Sequence, residues 1–343
     1  DVTAYAVLRD DDLCEPEGDA MPADCLSPRP LGSSGMTVSA LSLGSWRTFE
    51  HVPPETGVAV LRAAREEGIN FFDDARYNDE TGRAPIPTGY SEVLFGELFR
   101  GAGVRREDAV VANKLWWELW PEQSAAAELD ASLQRMRFEH VDLIYANPPP
   151  AGLAVPDLVA GTAGLVTAGK ARAWALVNWP ADQAGEAVRA AAGLAVPPPC
   201  AIQLPYSLVQ RSWVEDPAMT AAMTAAGAGV VASFSLAGGV LTGKYRSGSG
   251  TGRAAGTLAE PRAAVAAAAA EELAALADRL HTTPAALALA FPLTRPMVTS
   301  VLFGATSPEQ LRANCAAVGV RDRLSPDDIA ELAAIGSPAD AGA

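Results

Sequence analysis

The sequence predicts an α/β protein built as one (β/α)8 barrel of the TIM type, and three observations carry that prediction. From Met36 onward, eight short apolar or β-branched runs each precede an Ala-rich amphipathic stretch, the pattern of parallel strands covered by crossover helices. Together they span about 280 residues, near the ~250 typical of such a barrel. No GxGxxG turn follows an early strand, which weighs against the runner-up, a doubly wound open sheet.

In chain order the strands are TVSALSLG, INFFDDA, AVVANKL, VDLIYA, ARAWALV, CAIQLPY, VVASFSL and TSVLFGA. The helices that follow them are expected over 55–67, 91–100, 122–137, 157–169, 181–192, 217–227, 262–279 with 284–291, and 308–318. SPDDIAELAAIG, with Ser at its cap and acids in its first turn, predicts an added helix closing one end. The Gly- and Ser-rich segment 246–256 reads as a flexible loop after the seventh strand. Residues 1–30 carry eight acids against two arginines, so 1–28 is taken as an acidic arm, 29–337 as the barrel and 338–343 as a tail.

Composition narrows the partners. With 49% hydrophobic and 20% charged residues, the chain can bury a large core. A net charge of −15 repels phosphate backbones and anionic lipid, so neither nucleic acid nor a membrane surface is expected as a partner. No apolar run reaches the ~18 residues of a membrane span, and the first residues lack the basic and apolar regions of a signal peptide, so a cytoplasmic location is expected. Cys14, Cys25, Cys200 and Cys315 form no CxxC motif, which argues against zinc and a disulfide framework and leaves only a Cys14–Cys25 pairing open.

In such a barrel the chemistry lies at the C-terminal ends of the strands. The second strand ends in Asp73 and Asp74 with Tyr77 beyond, the third in Lys114 followed by Trp116 and Trp117, and the fourth in Asn147. An ammonium beside a phenol is expected to lower the phenol's pKa, while a carboxylate keeps the lysine charged and oriented. A surface ion pair at a strand end fits the same spacing equally well. Trp46, Trp116 and Trp117 are candidates for a substrate pocket, although packing is the commoner role of any single tryptophan.

These residues carry a resemblance. RPLGSSGMTVSALSLGSW, GINFFDDARY, SEVLFGEL, VVANKLW, ASLQRMRFEHVDLIY, GKARAW, LAGGVLTGKY and GATSPEQLRAN resemble, in order, the signature stretches of the aldo-keto reductase superfamily, from about Arg29 to Asp327. DLIYANPPP most resembles the potassium-channel beta-subunit branch and its bacterial relatives, in which Asn replaces the usual catalytic His. The resemblance implies a barrel that binds NADP(H) across its C-terminal mouth and reduces an aldehyde, ketone or ketosugar without a metal. Asp73, Tyr77, Lys114 and Asn147 would be its catalytic residues, and members of the branch allow a homo-oligomer. Two alternatives are a slow or inactive cofactor-binding sensor or scaffold and a non-redox biosynthetic enzyme on the same fold.

The resemblance has departures. DDARY places Tyr77 four steps after Asp73, where the family has five, so either the loop is tightened or Asp74 takes the Asp role. An insertion at 78–89 then brings in Tyr90, a rival proton donor and pocket residue. Of the family's nicotinamide contacts Asn178 and Gln203 are present, with Val177 in place of Ser. The stacking ring is Ser233 here, and Phe234 lies one place along. Ser45, Trp46, Leu236, Gly239, Leu241, Gly243, Lys244, Arg253, Thr306, Gln310 and Asn314 match the rest of the cofactor positions, with Lys244 and Arg253 the cations a 2′-phosphate needs.

Overall fold

Eight parallel strands pair in sequence order, and the last closes on the first to make a barrel, in a computed structural model that describes residues 28–245 and 261–336. The strands are β1 (Leu41–Gly44), β2 (Phe71–Asp73), β3 (Val110–Leu115), β4 (Val141–Ala146), β5 (Ala171–Val177), β6 (Ala201–Pro205), β7 (Gly229–Ser233) and β8 (Val298–Phe303). Val301 pairs with Leu41 and Phe303 with Leu43 at the closure. This excludes the open doubly wound sheet. Residues 1–27, segment 246–260 with Arg253, and residues 337–343 lie outside the described residues, and with them the acidic arm, the Gly- and Ser-rich loop, Cys14, Cys25 and the tail.

The crossover helices are α1 (Pro54–Glu66), α2 (Tyr90–Gly101), α3 (Ala125–Met136), α4 (Val155–Thr167), α5 (Ala181–Gly193), α6 (Ser212–Glu215), α7 (Pro217–Ala226), α8 (Pro261–Arg279), α9 (Pro284–Leu293) and α10 (Pro308–Arg323). Helix α11 (Pro326–Ala334) opens with the predicted Ser325 cap, in a reciprocal box with Asp328. The four-residue α6 carries no periodicity long enough to announce it. TVSALSLG divides in two, because Ser39 turns its hydroxyl onto the Leu41 carbonyl at 2.6 Å. Thr37–Val38 then pairs antiparallel with Arg29–Pro30, and only Leu41–Gly44 enters the barrel. VVASFSL stops as a strand at Ser233, since Phe234 leaves the extended region with φ 55°.

The two-residue period of the strands sorts their side chains. Phe71, Val110, Ala112, Leu143, Tyr145, Ala173, Ala175, Val177, Ala201 and Val231 share one buried cluster inside the barrel, with Leu31, Met36 and Val38 of the antiparallel ribbon plugging its N-terminal end. Two residues beyond Phe71, Ala112 and Ala201 the same alternation reaches Asp73, Lys114 and Gln203. Apart from the buried Ser42 and Ser300, whose hydroxyls bond to each other at 3.1 Å, the interior is apolar up to its last layer, and polar there. A second, larger cluster fills the space between the strands and helices.

Helix α2 approaches α3 so closely that a Cβ on Gly96 would lie 2.2 Å from the Met136 carbonyl oxygen. A helical Gly→Ala change usually stabilises by ~0.4–1 kcal/mol. Here the clash is with backbone that cannot rotate away, and overpacking of this kind costs ~1–3 kcal/mol. Gly96→Ala is expected to lower the urea midpoint; an unchanged or higher midpoint would contradict this helix approach.

Candidate active site

Three inward barrel positions, two on the neighbouring strands β2 and β3 and one across the barrel on β6, make the centre of the site. Lys114 Nζ is ion-paired with Asp73 Oδ1, and Gln203 Nε2 donates to the other Asp73 oxygen at 2.9 Å. The Lys114 ammonium also donates to the Tyr77 hydroxyl at 3.2 Å, and it lies 5.7 Å from the buried Tyr145 ring beneath it. Asp73 is therefore the acid of the group, and the shortened DDARY spacing is met by a tightened loop. The Tyr77 N–H closes a three-residue turn on the Ala75 carbonyl at 2.9 Å, and Ser91 Oγ pins the same carbonyl at 2.6 Å. Tyr90 instead opens α2 and packs against the outer core.

The electrostatics differ from the sequence expectation in one respect. Burial, then the Asp73 and Asp74 charges, hold the Tyr77 phenol well above its ordinary pKa. The positive charge of Lys114 is spent on Asp73, so it does not lower the phenol as expected, and Tyr77 keeps its proton.

Asp74 is the neighbour whose role the sequence did not reveal. It is fully buried, accepts from Ser45 Oγ, and leaves Oδ2 without a hydrogen-bond partner. Nearby, buried Glu92 is paired with Arg135 and accepts from Asn113 at 2.9 Å. Three buried carboxyls thus face two cations, each already committed. Burial first, then the Glu92 charge, raise the Asp74 pKa well above the usual carboxylate range.

The mouth is rimmed by aromatic rings and ion pairs. Trp46 lies 6.4 Å from Tyr77 and 5.4 Å from Phe234, and Trp116 lies 6.1 Å from Tyr77. Trp46, Tyr77 and Trp116 line a cavity of about 170 Å³ with Arg76, Asn78, Glu80 and Glu118. Glu80 of the 78–89 insertion pairs with Arg47 at 2.6 Å, and Arg76 with Glu118 at 2.8 Å. The Trp116 Nε1 is buried with no hydrogen-bond partner. Trp117 and Tyr90 are not among the lining residues, contrary to expectation. With φ 62°, Trp117 turns into the core and donates to the Asn147 carbonyl at 3.0 Å. The Asn147 amide donates to the Leu115 carbonyl at 3.0 Å, which uses one of its two N–H groups.

The expected cofactor positions follow the mouth from β5 to α10. Asn178 is exposed just past β5, whereas the Gln203 amide is engaged by Asp73. Past β7, Leu236, Gly239, Leu241 and Gly243 belong to or flank the 3-10 segment Ala237–Thr242. Gly239 has φ 92°, and a Cβ there would meet the Lys244 side chain at 3.2 Å, so the glycine leaves a cradle beside an exposed cation. Thr306 donates through its N–H to Gln310 Oε1 at 2.8 Å at the N-terminus of α10. One turn further Asn314 is 3% exposed, with its amide nitrogen unpartnered. An orphaned buried donor on α10, and separately a glycine cradle beside an exposed cation after β7, are features that fit a phosphate-bearing dinucleotide.

Comparison with known proteins agrees with this geometry. The family model described as "Aldo/keto reductase family" matches residues 40–337. The chain belongs to the aldo/keto reductase family. It is 30% identical over 311 residues to a protein of Arabidopsis thaliana named "Probable voltage-gated potassium channel subunit beta", covering 86% of this chain and 92% of that one. A protein of the same name from Oryza sativa subsp. japonica is 31% identical over 320 residues, covering 89% and 95%. Membership supports oxidoreductase chemistry in this aldo/keto reductase. Among the described residues no helix is long and apolar enough to cross a membrane.

The upward pKa shift of Asp74 has a measurable sign. A carboxyl whose folded pKa lies above its unfolded value of ~3.9 contributes stability that is full at low pH and declines as pH rises from there toward the folded pKa. Asp74→Asn removes that decline. The melting temperature of the variant relative to the wild type should therefore climb between pH 5 and pH 8, and parallel pH profiles would show that Asp74 is ionised in the folded state.

Proposed function

We propose that this chain is an NADP(H)-dependent oxidoreductase that reduces the carbonyl of an aldehyde, ketone or ketosugar, with Tyr77 as the proton donor. The observation that carries the reading is a neutral phenol held 3.2 Å from a lysine whose charge is anchored on a buried carboxylate. NADPH, when bound, supplies hydride to the carbonyl carbon. Tyr77 gives its proton to the carbonyl oxygen as negative charge builds there, and the Lys114 ammonium stabilises the phenolate left behind. Asp73 orients Lys114 through their ion pair, and Gln203 fixes the Asp73 carboxylate. Asn147 has an amide N–H to offer the same oxygen but cannot titrate, so it orients the substrate. Trp46 and Trp116 exclude water and shape the pocket, and the free Trp116 Nε1 gives a substrate acceptor a partner.

Asn178 is then the side-chain amide left for the nicotinamide end, with Phe234 and Trp46 as the rings beside it. Lys244 and Arg253 would meet the 2′-phosphate, with Thr306, Gln310 and Asn314 at the adenosine end. A cytoplasmic location and a homo-oligomer belong to the same proposal. A second reading, a slow or inactive cofactor-bound subunit, draws on Asn147 standing where a titratable His is usual and on the channel-subunit names of the relatives.

Tyr77→Phe separates the two. Loss of a positioned general acid costs ~10²- to 10⁴-fold, so NADPH-dependent carbonyl reduction should fall by that factor while NADPH affinity, measured by calorimetry, stays unchanged and Tyr90→Phe remains active. Turnover undiminished in Tyr77→Phe would remove the proposed donor. For the cofactor, Lys244→Ala should cut the preference for NADPH over NADH by about tenfold, the worth of one charge-assisted hydrogen bond. An unaltered ratio of the two dissociation constants would move the 2′-phosphate site elsewhere.

A further inference from the structure

The end of the barrel opposite the mouth holds a cavity of about 460 Å³, within the ~300–1,000 Å³ of small-molecule sites. Three arginines from separate segments line it: Arg29 of the antiparallel ribbon, Arg295 before β8 and Arg321 near the end of α10, with Leu293, Val298 and Ile329 as apolar walls. Their convergence is not a consequence of chain proximity. Arg29 is fixed by donating to the Val298 carbonyl at 2.8 Å, and Arg295 by lying 5.0 Å from the Phe291 ring. Arg295 Nε is buried with no hydrogen-bond partner. Among the described residues the ion pair these three make is Arg321 with Asp322, at 2.6 Å.

Three arginines therefore line one cavity that has no carboxylate among its lining residues, on a chain whose net charge is −15. Burial, then the like charge of Arg321, depress the pKa of Arg29, so the arrangement is electrostatically unfavourable as it stands. Structural brackets alone would be better served by neutral donors or paired cations. Planar guanidiniums converging on a cleft match the oxygens of a phosphate, which would relieve the repulsion and take up free N–H donors. We propose that this cavity is a second ligand site, separate from the mouth, which binds a small phosphate-bearing molecule through Arg29, Arg295 and Arg321. The site owes nothing to the oxidoreductase reading and stands whether or not that reading holds.

The test is the melting temperature of the full chain titrated with inorganic phosphate against chloride at matched ionic strength. A ligand that binds only the folded state raises the melting temperature with concentration, so a phosphate-specific rise is expected in the wild type. The same rise is expected in Lys244→Ala, whose change is confined to the mouth. It should be lost or sharply reduced in Arg321→Gln, a mild change near the surface, and independently in Arg295→Ala. Because each variant is compared with itself in chloride, a lower starting stability does not affect the reading. No phosphate-specific rise in the wild type, or an equal rise in both arginine variants, would overturn the proposal. A rise abolished by Lys244→Ala would do so as well, by assigning the phosphate to the mouth.

Discussion

The buried pair between Lys114 and Asp73 is the interaction on which the rest of the site depends. Each group sits at the last inward position of its strand, 4% and 2% exposed, where desolvating two charges costs several kcal/mol per ion unless geometry and further hydrogen bonds return it. The returns are visible: Gln203 satisfies the second carboxylate oxygen and Tyr77 accepts from the ammonium. Removing either partner would leave an uncompensated buried charge, a loss of ~3–5 kcal/mol. The same bonds that offset this cost orient the phenol, so stability and chemistry draw on one set of contacts.

Charge balance then explains the surroundings. Asp73 takes Lys114 and Glu92 takes Arg135, so the adjacent Asp74 has no ion-pair partner among the described residues, and burial with the Glu92 charge raises its pKa. At the base of the β1–α1 loop it holds Ser45. Around the rim the arrangement reverses, with charges paired in partial solvent. Arg47 reaches Glu80 of the insertion, with side chains 36% and 42% exposed, and exposed pairs of this kind are worth only ~0–1 kcal/mol. They hold the mouth loops weakly, which suits segments that have to admit a substrate, while the rigid pair beneath sets the reacting atoms.

The barrel was legible because its signal is repeated eight times, and a strand-helix period survives local irregularity. Asp73, Tyr77 and Lys114 were legible for the same reason: strand ends can be read from the run of apolar residues, and in this architecture the reactive groups sit at or just past the C-terminal ends. What failed to show depended on single backbone angles or on distant partners. Trp117 follows Trp116 in an identical sequence setting, yet φ 62° turns it into the core and takes it out of the pocket. The direction of the Tyr77 shift required knowing that Lys114 was already committed to Asp73. Asp74 looked redundant because the partners that define it, Ser45 and Glu92, lie 29 and 18 residues away. Of the three arginines at the other end, Arg29 lies 266 residues from Arg295, and no local pattern connects them.

Phe234 shows how a one-residue displacement can be absorbed by the fold. Its side chain stands one position after the site where the resemblance places a stacking ring, and normal strand alternation would have sent it away from the mouth. A positive φ of 55° ends β7 at Ser233 and leaves the ring 44% exposed against Trp46. That conformation costs a non-glycine residue ~1–2 kcal/mol, and a tilted aromatic pair returns ~0.5–1.5 kcal/mol. The two nearly cancel, so the mouth acquires an aromatic wall on its β7 side at little net cost. Strain of this size persists only where neighbouring structure enforces it, and here the 3-10 segment that follows supplies that enforcement, through the Ala237 N–H on the Phe234 carbonyl at 2.8 Å.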